Sequence, residues 1–141
     1  FGLLLLYLLL ILTEPLFNWS KYWVMEWNQR PIACAALVCF GEFCVLYHLV
    51  VDPQWRRHAI ASHLVTQLTQ QTNQPIYLAC KPNLVSFYQR LGFYPVQWKN
   101  LSPSLKAHFK DFHRDRKLSG MAWEIMRSSQ NRSVSPHTTV K

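Results

Sequence analysis

The stretch from Leu46 to Gln71 constrains the fold most. An apolar run, Leu46 to Val51, leads through Asp52-Pro53-Gln54-Trp55-Arg56-Arg57-His58 into a helical pattern from Ile60 to Gln71. Ile60, Leu64 and Leu68 recur four apart, with Ala61 and Val65 beside them, so one helical face is apolar. A strand that passes through a basic turn into a helix N-terminus is arranged to hold an anion. The first helical turn has unpaired N–H groups and a partial positive charge. Arg56 and Arg57 add charge, and the small residues Ala59 and Ala61 let a ligand approach the backbone.

The flanking sequence supplies a sheet for this unit. Tyr22 to Trp27 reads as a strand and Asn28-Gln29-Arg30-Pro31 as a turn. Ile32 to Phe40 reads as a second strand, Gly41-Glu42 as a tight turn and Phe43 to Val51 as a third strand. The helix from Ile60 stops before Pro75, and Ile76 to Cys80 is a short apolar strand. Strand, helix and strand joined by short links imply a right-handed parallel crossover. Lys81-Pro82-Asn83 opens a second helix, with Leu84, Phe87, Tyr88 and Leu91 on one face and Gly92 as its stop. Ser102-Pro103 reads as an N-cap and first helical residue, followed by the stripe Leu105, Phe109 and Phe112. Met121 to Met126 alternates as a closing strand.

Two of these stretches carry a family resemblance. Arg56-Arg57-His58-Ala59-Ile60-Ala61, preceded by Val51-Asp52-Pro53, resembles the Arg/Gln-x-x-Gly/Ala-x-Gly/Ala loop of the GNAT N-acetyltransferase superfamily. The stretch Asn83 to Phe93 resembles the second signature of that family: Asn, a small residue (Ser86) three later, Phe87-Tyr88, then Leu91-Gly92-Phe93. The two stand in the family's order with a strand between them, and the likeness runs from Tyr22 to Val96. It implies an α/β fold, a GNAT-like mixed central sheet of about six strands with helices on both faces.

The resemblance implies acetyl-CoA as co-substrate and no metal. The pyrophosphate would lie on Arg56, Arg57, His58, Ala59, Ile60 and Ala61. Pantetheine would add along the third strand at Leu49, Val50 and Val51, in a gap beside Ile76–Cys80. Asn83 and Ser86 would contact the same ligand, although Asn83 also suits a plain N-cap. Tyr88 would be the general acid toward the sulfur; its spacing suits a core tyrosine equally. Glycine is more usual in the family where Ala59 and Ala61 stand. The family often places a base at the positions of Val45 and Tyr47, neither of which can serve. His48 is the nearest titratable group, but strict strand alternation puts it on the face opposite Val45, Tyr47 and Val51. The family's first strand and paired helices have no readable counterpart before Tyr22, so the acceptor pocket is not legible.

Composition sets the remaining bounds. The chain has 141 residues, half of them hydrophobic and 16% charged, enough for one packed domain and too apolar for a disordered one. The net charge of +8 calls for an anionic partner, which CoA phosphates, RNA or an anionic membrane would each satisfy. Cys34, Cys39, Cys44 and Cys80 contain no Cys-x-x-Cys pair and read as buried free thiols in a reducing, cytoplasmic setting, with no disulfide or zinc site. Phe1 to Leu12 is almost wholly apolar but shorter than the about 20 residues a spanning helix needs. It reads as a leucine-rich helix on the sheet, or as the end of a membrane-proximal segment.

The expected organisation is a hydrophobic N-terminal helix over 1–20, an acetyltransferase domain over 21–127 and a disordered Ser/Thr/Asn-rich tail over 128–141. The expected reaction moves an acetyl group from acetyl-CoA to a primary amine in a ternary complex. That amine is a protein N-terminus, a lysine or a small molecule. Two other readings stay open: a non-catalytic acyl-CoA-binding module with a degenerate site, and a basic RNA- or membrane-associated interaction protein.

Overall fold

The computed structural model describes residues 19–120 and 122–129. The expected helix over Phe1–Leu12 and the tail from residue 130 onward lie outside the described residues. The elements are β1 (Tyr22–Trp27), β2 (Arg30–Cys39), β3 (Cys44–Val51), α1 (Ile60–Thr69), β4 (Ile76–Cys80), α2 (Val85–Arg90), β5 (Phe93–Pro95), α3 (Pro103–Ser119) and β6 (Glu124–Ser128). They build one mixed six-stranded sheet in the order β1-β2-β3-β4-β6-β5, with β3 and β4 parallel and every other pair antiparallel.

Local chemistry explains most of the boundaries. Asn28 and Gln29 both take positive φ, as a two-residue hairpin turn requires, so β2 starts at Arg30, two residues before the expected Ile32. Pro31 follows immediately in β2 and lacks an N–H for the ladder. The register with β1 shifts beside it, between Met25 and Glu26. Leu84, expected on the buried face of α2, is 42% exposed; it ends a short 3₁₀ turn, and α2 starts one residue later. Asn83 sits inside that turn and caps nothing, which corrects its N-cap reading. The three-residue β5 escapes periodicity altogether. Ser102 caps α3 as expected, accepting from the Leu105 N–H at 3.4 Å, and Gly120 closes it at φ +67°.

The two sheet faces bury separate cores. Ala33, Ala35, Cys44, Leu46, Ile76, Leu78 and Met126 pack under α1 and α2 with Leu64, Val65, Leu68 and Tyr88. Val45, Tyr77 and Ile125 pack on the other face under α3, with Leu101, Leu105 and Phe109. Helices therefore cover both faces. β6 runs to Ser128, the residue at which the tail was expected to begin. The Ser128 hydroxyl accepts from the Ile76 N–H at 2.9 Å, and Ser129 donates from its N–H to the Gly92 carbonyl at 2.8 Å.

One cysteine reading is overturned. Cys39 and Cys44 are direct partners in the β2–β3 register, on either side of the turn at Gly41, and they form a disulfide. Directly opposed residues of an antiparallel pair have neighbouring Cβ atoms, so the pairing follows from register rather than from a sequence motif. Cys34 and Cys80 are free, and burial raises the pKa of both thiols, that of Cys80 to about 11. Among the described residues no group of three His, Cys, Asp or Glu side chains could hold a metal ion. No described helix is long and apolar enough to cross a membrane.

Candidate functional site

The parallel pair at the centre of the sheet is barely paired. β3 and β4 share only Cys44↔Ile76 and Val45↔Tyr77. Beyond those residues the strands diverge, so Leu46–Val51 and Leu78–Cys80 face each other across a gap. β3 keeps β2 on its far edge up to Val51, and β4 keeps β6 up to Cys80. Backbone groups on the inner edges therefore have no strand partner among the described residues. They can accept an extended, hydrogen-bonding ligand inserted as an additional strand.

The wide end of this gap leads into the basic loop. Asp52 caps the turn after β3, accepting from the Gln54 N–H at 2.9 Å. Arg56 turns back and donates from Nε to the Val51 carbonyl at 3.4 Å. His58 donates from Nδ1 to the Arg56 carbonyl at 2.9 Å. Trp55 packs between Trp27 and His58, both rings tilted against it with centroids 5.6 and 6.1 Å away, and braces the loop against the end of β1. Arg56, Arg57, His58 and Ala59 are all exposed.

Helix α1 begins without a cap. Ala59 is its N-cap residue at φ +57°, ψ +14°, and it makes no side-chain capping bond. The first N–H to reach a helical acceptor is that of His63, bonded to the Ala59 carbonyl at 2.9 Å. The N–H groups of Ile60, Ala61 and Ser62 precede it and have no intrahelical acceptor. A left-handed residue followed by right-handed ones turns successive N–H groups inward, the arrangement that binds phosphate oxygens. Residues 56–61 thus lie together at the mouth of the gap.

Tyr88 is buried (6% exposed) on α2, between Phe87 and Phe93 at 4.9 and 5.8 Å. Its hydroxyl makes no hydrogen bond to the described residues. Burial, with a smaller contribution from the Cys80 thiol, pushes its pKa up to about 12. A phenol so placed keeps its proton through neutral pH, so it can serve as an acid and not as a phenolate base. Asn83 and Ser86 are exposed on the same segment.

His48 is where alternation fails. Tyr47 pairs with Ala36 and Val50 with Cys34, so β3 holds one extra residue there, and His48 takes φ +52°. This bulge reverses the facing of the rest of the strand. Cys44 and Leu46 point toward α1 before it, and Leu49 and Val51 do so after it. His48 is left beside Tyr47 on the α3 face, their rings 5.9 Å apart. Its expected placement opposite Val45 and Tyr47 is therefore corrected, and Val51 is the one that lies on the other side. The His48 Nδ1 is 2.5 Å from the Tyr22 hydroxyl of β1. Sequence reading also missed His108 of α3, which packs against Phe40 and Tyr47 at 4.8 and 5.5 Å. Burial lowers the His108 pKa, keeping the ring neutral near pH 7.

A separate cavity of about 420 Å³ lies between α3 and the β5–β6 edge, walled by Trp98, Phe112, His113 and Trp123. None of its lining residues belongs to β3 or β4.

Two outcomes follow from this geometry. The left-handed conformation costs a non-glycine residue about 1–2 kcal/mol, while glycine loses about 0.5–1 kcal/mol more entropy on folding. Ala59→Gly should therefore stabilise the protein by about 0.5–1 kcal/mol; an unchanged or lower melting temperature would contradict the loop conformation. A phenol pKa raised on folding contributes stability that is fully present below pH 10 and is lost as pH rises toward about 12. Denaturant titrations between those limits should show a smaller alkaline decline for Tyr88→Phe than for the native protein, and equal declines would argue against a buried phenol.

Comparison with known proteins agrees with this fold. A family model described as an acetyltransferase (GNAT) domain matches residues 18–95, more than half of the chain. A search of curated protein sequences finds no match. Among solved structures, the chain is similar to N-acetylglutamate synthase from Neisseria gonorrhoeae complexed with coenzyme A and N-acetyl-glutamate. Identity is 16% and the TM-score 0.66, over 80% of this chain and 26% of that one. It is similar to Rv2747 from Mycobacterium tuberculosis in complex with CoA, at 19% identity and TM-score 0.63 over 77% and 75% of the two chains. It is also similar to the ribosomal-protein-S18-alanine N-acetyltransferase from Escherichia coli, at 15% and 0.59 over 84% and 76%. The chain thus spans about a quarter of the length of the Neisseria synthase. These identities speak for the fold alone. With a family match that covers both signature stretches, Arg56 to Ala61 and Asn83 to Phe93, the chain belongs to the GNAT acetyltransferase family.

Proposed function

We propose that the protein is an acetyl-CoA-dependent N-acetyltransferase acting on a primary amine, by direct attack within a ternary complex. The divergence of β3 from β4, ending at an uncapped helix N-terminus flanked by two exposed arginines, carries this reading. Each part suits a different portion of the co-substrate. The N–H groups of Ile60, Ala61 and Ser62 and the charges of Arg56 and Arg57 suit the pyrophosphate. The inner edge of Leu49, Val50 and Val51 suits pantetheine, whose amides need strand-like partners. Asn83 and Ser86, exposed on the segment that follows β4, are assigned further contacts with the co-substrate in this reading. An extended arm starting at the loop and running back along β3 brings the thioester close to the bulge, about 10 Å from Val51 at roughly 3.3 Å per residue.

At that depth Tyr88 acts as general acid toward the departing sulfur, since its raised pKa keeps the proton in place until it is needed. His48 is the base candidate within reach of the bulge. Holding amine and thioester together supplies much of the rate enhancement by removing the entropy of encounter. The solved relatives whose structures contain CoA support the same co-substrate for this chain.

Calorimetric titration with acetyl-CoA tests the donor site. The native protein should bind in the micromolar range, and an Arg56→Ala, Arg57→Ala double variant should lose about tenfold or more in affinity, as expected when charged contacts to phosphate are removed. In a thiol-release assay with an amine library, Tyr88→Phe should lower kcat about 10²-fold with little change in acetyl-CoA affinity. Binding without turnover in any variant, the native protein included, would favour a non-catalytic acyl-CoA-binding module.

A further inference from the structure

The acetyltransferase reading leaves the acceptor without a pocket, and the cavity beneath α3 lies where one is needed. The donor elements occupy one face of the sheet: Ile60, at the start of α1, packs on the core that contains Leu46 and Leu78. The cavity lies on the other face, where its walls Val96, Trp98 and Phe112 pack on the core beneath α3. The splayed strands stand between the two. Ile125, another wall residue, is the direct partner of Ala79 in the β4–β6 register, and Ala79 belongs to the β4 edge that borders the gap. One strand spacing, about 5 Å, thus separates the wall from the edge of the gap. Ala79 is half-buried on the α3 face, and its side chain is a single methyl group. An acceptor seated in the cavity therefore approaches the gap from the face opposite α1 and does not cross the donor.

The walls select the acceptor's chemistry. Trp98 stacks on His113 at 4.0 Å with 5° between planes, and Phe112 meets Trp123 edge to face at 4.9 Å. Four rings around about 420 Å³ suit an occupant with an aromatic ring of its own. The chain carries 15 lysines and arginines, yet none lines the cavity among the described residues. The one acidic wall residue, Glu124, pairs with Cys80 at the end of β4. Burial raises the Cys80 pKa to about 11, and the Glu124 carboxylate adds to the rise. Negative charge thus stands beside the β4 edge of the gap, where it favours an ammonium group and disfavours a carboxylate. We propose that this cavity is the acceptor pocket and that the acceptor is an arylalkylamine, its ring held among Trp98, Phe112 and Trp123 and its short chain carrying the primary amine past Ala79. This rests on the acetyltransferase reading above. A free amine and the first residue of a peptide that begins with phenylalanine share this chemistry. In the step itself the amine nitrogen forms a bond to the acetyl carbon and the carbon–sulfur bond breaks. The proton lost by nitrogen passes to solvent, and Tyr88 supplies the one that sulfur takes up.

The test uses the full chain labelled with ¹⁵N-tryptophan, with Trp98→Phe and Trp123→Phe to assign the indole signals. With CoA in excess, phenethylamine should shift the Trp98 and Trp123 signals saturably, while propylamine and glutamate leave them in place. In thiol release from acetyl-CoA, kcat/KM should be on the order of tenfold or more higher for phenethylamine than for propylamine, and lowest for glutamate. Trp123→Leu should reduce the preference for phenethylamine severalfold. The titration and the amine series need only the native chain, so a variant that fails to fold leaves the test intact. Turnover of a peptide beginning with phenylalanine, at or above the rate of phenethylamine, would support the pocket and assign the amine to a polypeptide N-terminus. Equal kcat/KM for phenethylamine and propylamine, a preference for glutamate, or unmoved Trp98 and Trp123 signals would overturn the proposal. A native protein that releases no thiol with any amine would sink the acetyltransferase reading and this use of the cavity together. The indole shifts report separately whether the cavity takes an aromatic ring.

Discussion

The early divergence of two parallel strands governs this structure. β3 and β4 meet over two residue pairs and then part, although both continue as strands with partners on their outer edges. Unpaired inner edges in the middle of a sheet are costly unless a ligand or water satisfies them. The sheet can hold them apart because each half is independently braced. The β1–β2–β3 meander is tied by long antiparallel ladders, and β4–β6–β5 by its own. Two cores, one under α1 and α2 and the other under α3, clamp the halves where they still touch.

The bulge at His48 is the second device, and it depends on the first. With one extra residue, β3 presents Cys44 and Leu46 to the α1 face before the bulge and Leu49 and Val51 to the same face after it. The strand therefore keeps an apolar row on the α1 face on both sides of the bulge, buried at Cys44 and Leu46 and half-buried at Leu49 and Val51, while its backbone is re-aimed beside the gap. A non-glycine residue at positive φ is sparsely populated and persists only where its surroundings hold it. His48, Arg57 and Ala59 all adopt it, within twelve residues that also form the floor and mouth of the candidate donor site. Local strain and candidate chemistry coincide.

Much of this was legible in the chain because it rests on periodicity and turn chemistry. β1, β4 and the start of α1 fall where alternation and the Ile60-Leu64-Leu68 stripe predict them. Gly92 and the Ser102 cap end and begin helices for reasons visible in single residues. What stayed hidden depends on pairing between strands. The bulge exists only as a mismatch between β2 and β3, so neither strand announces it. The Cys39–Cys44 disulfide follows from the same register, although the two cysteines flanking the turn around Gly41-Glu42 were a usable hint. Tyr22 and His108 reach the His48 and Tyr47 surface from elements distant in sequence, which no local pattern encodes. β5 is too short for any period to register.

In the acetyltransferase reading, the gap between β3 and β4 and the N-terminus of α1 form one continuous donor site. Backbone amide shifts recorded during an acetyl-CoA titration test it most directly. Large, saturable changes are expected at Leu49 to Val51, at Ile60 to Ser62 and at Leu78 to Cys80, all following one binding isotherm. Changes confined to the α3 cavity near Trp98 and Trp123, with the β3 and α1 amides unmoved, would contradict it.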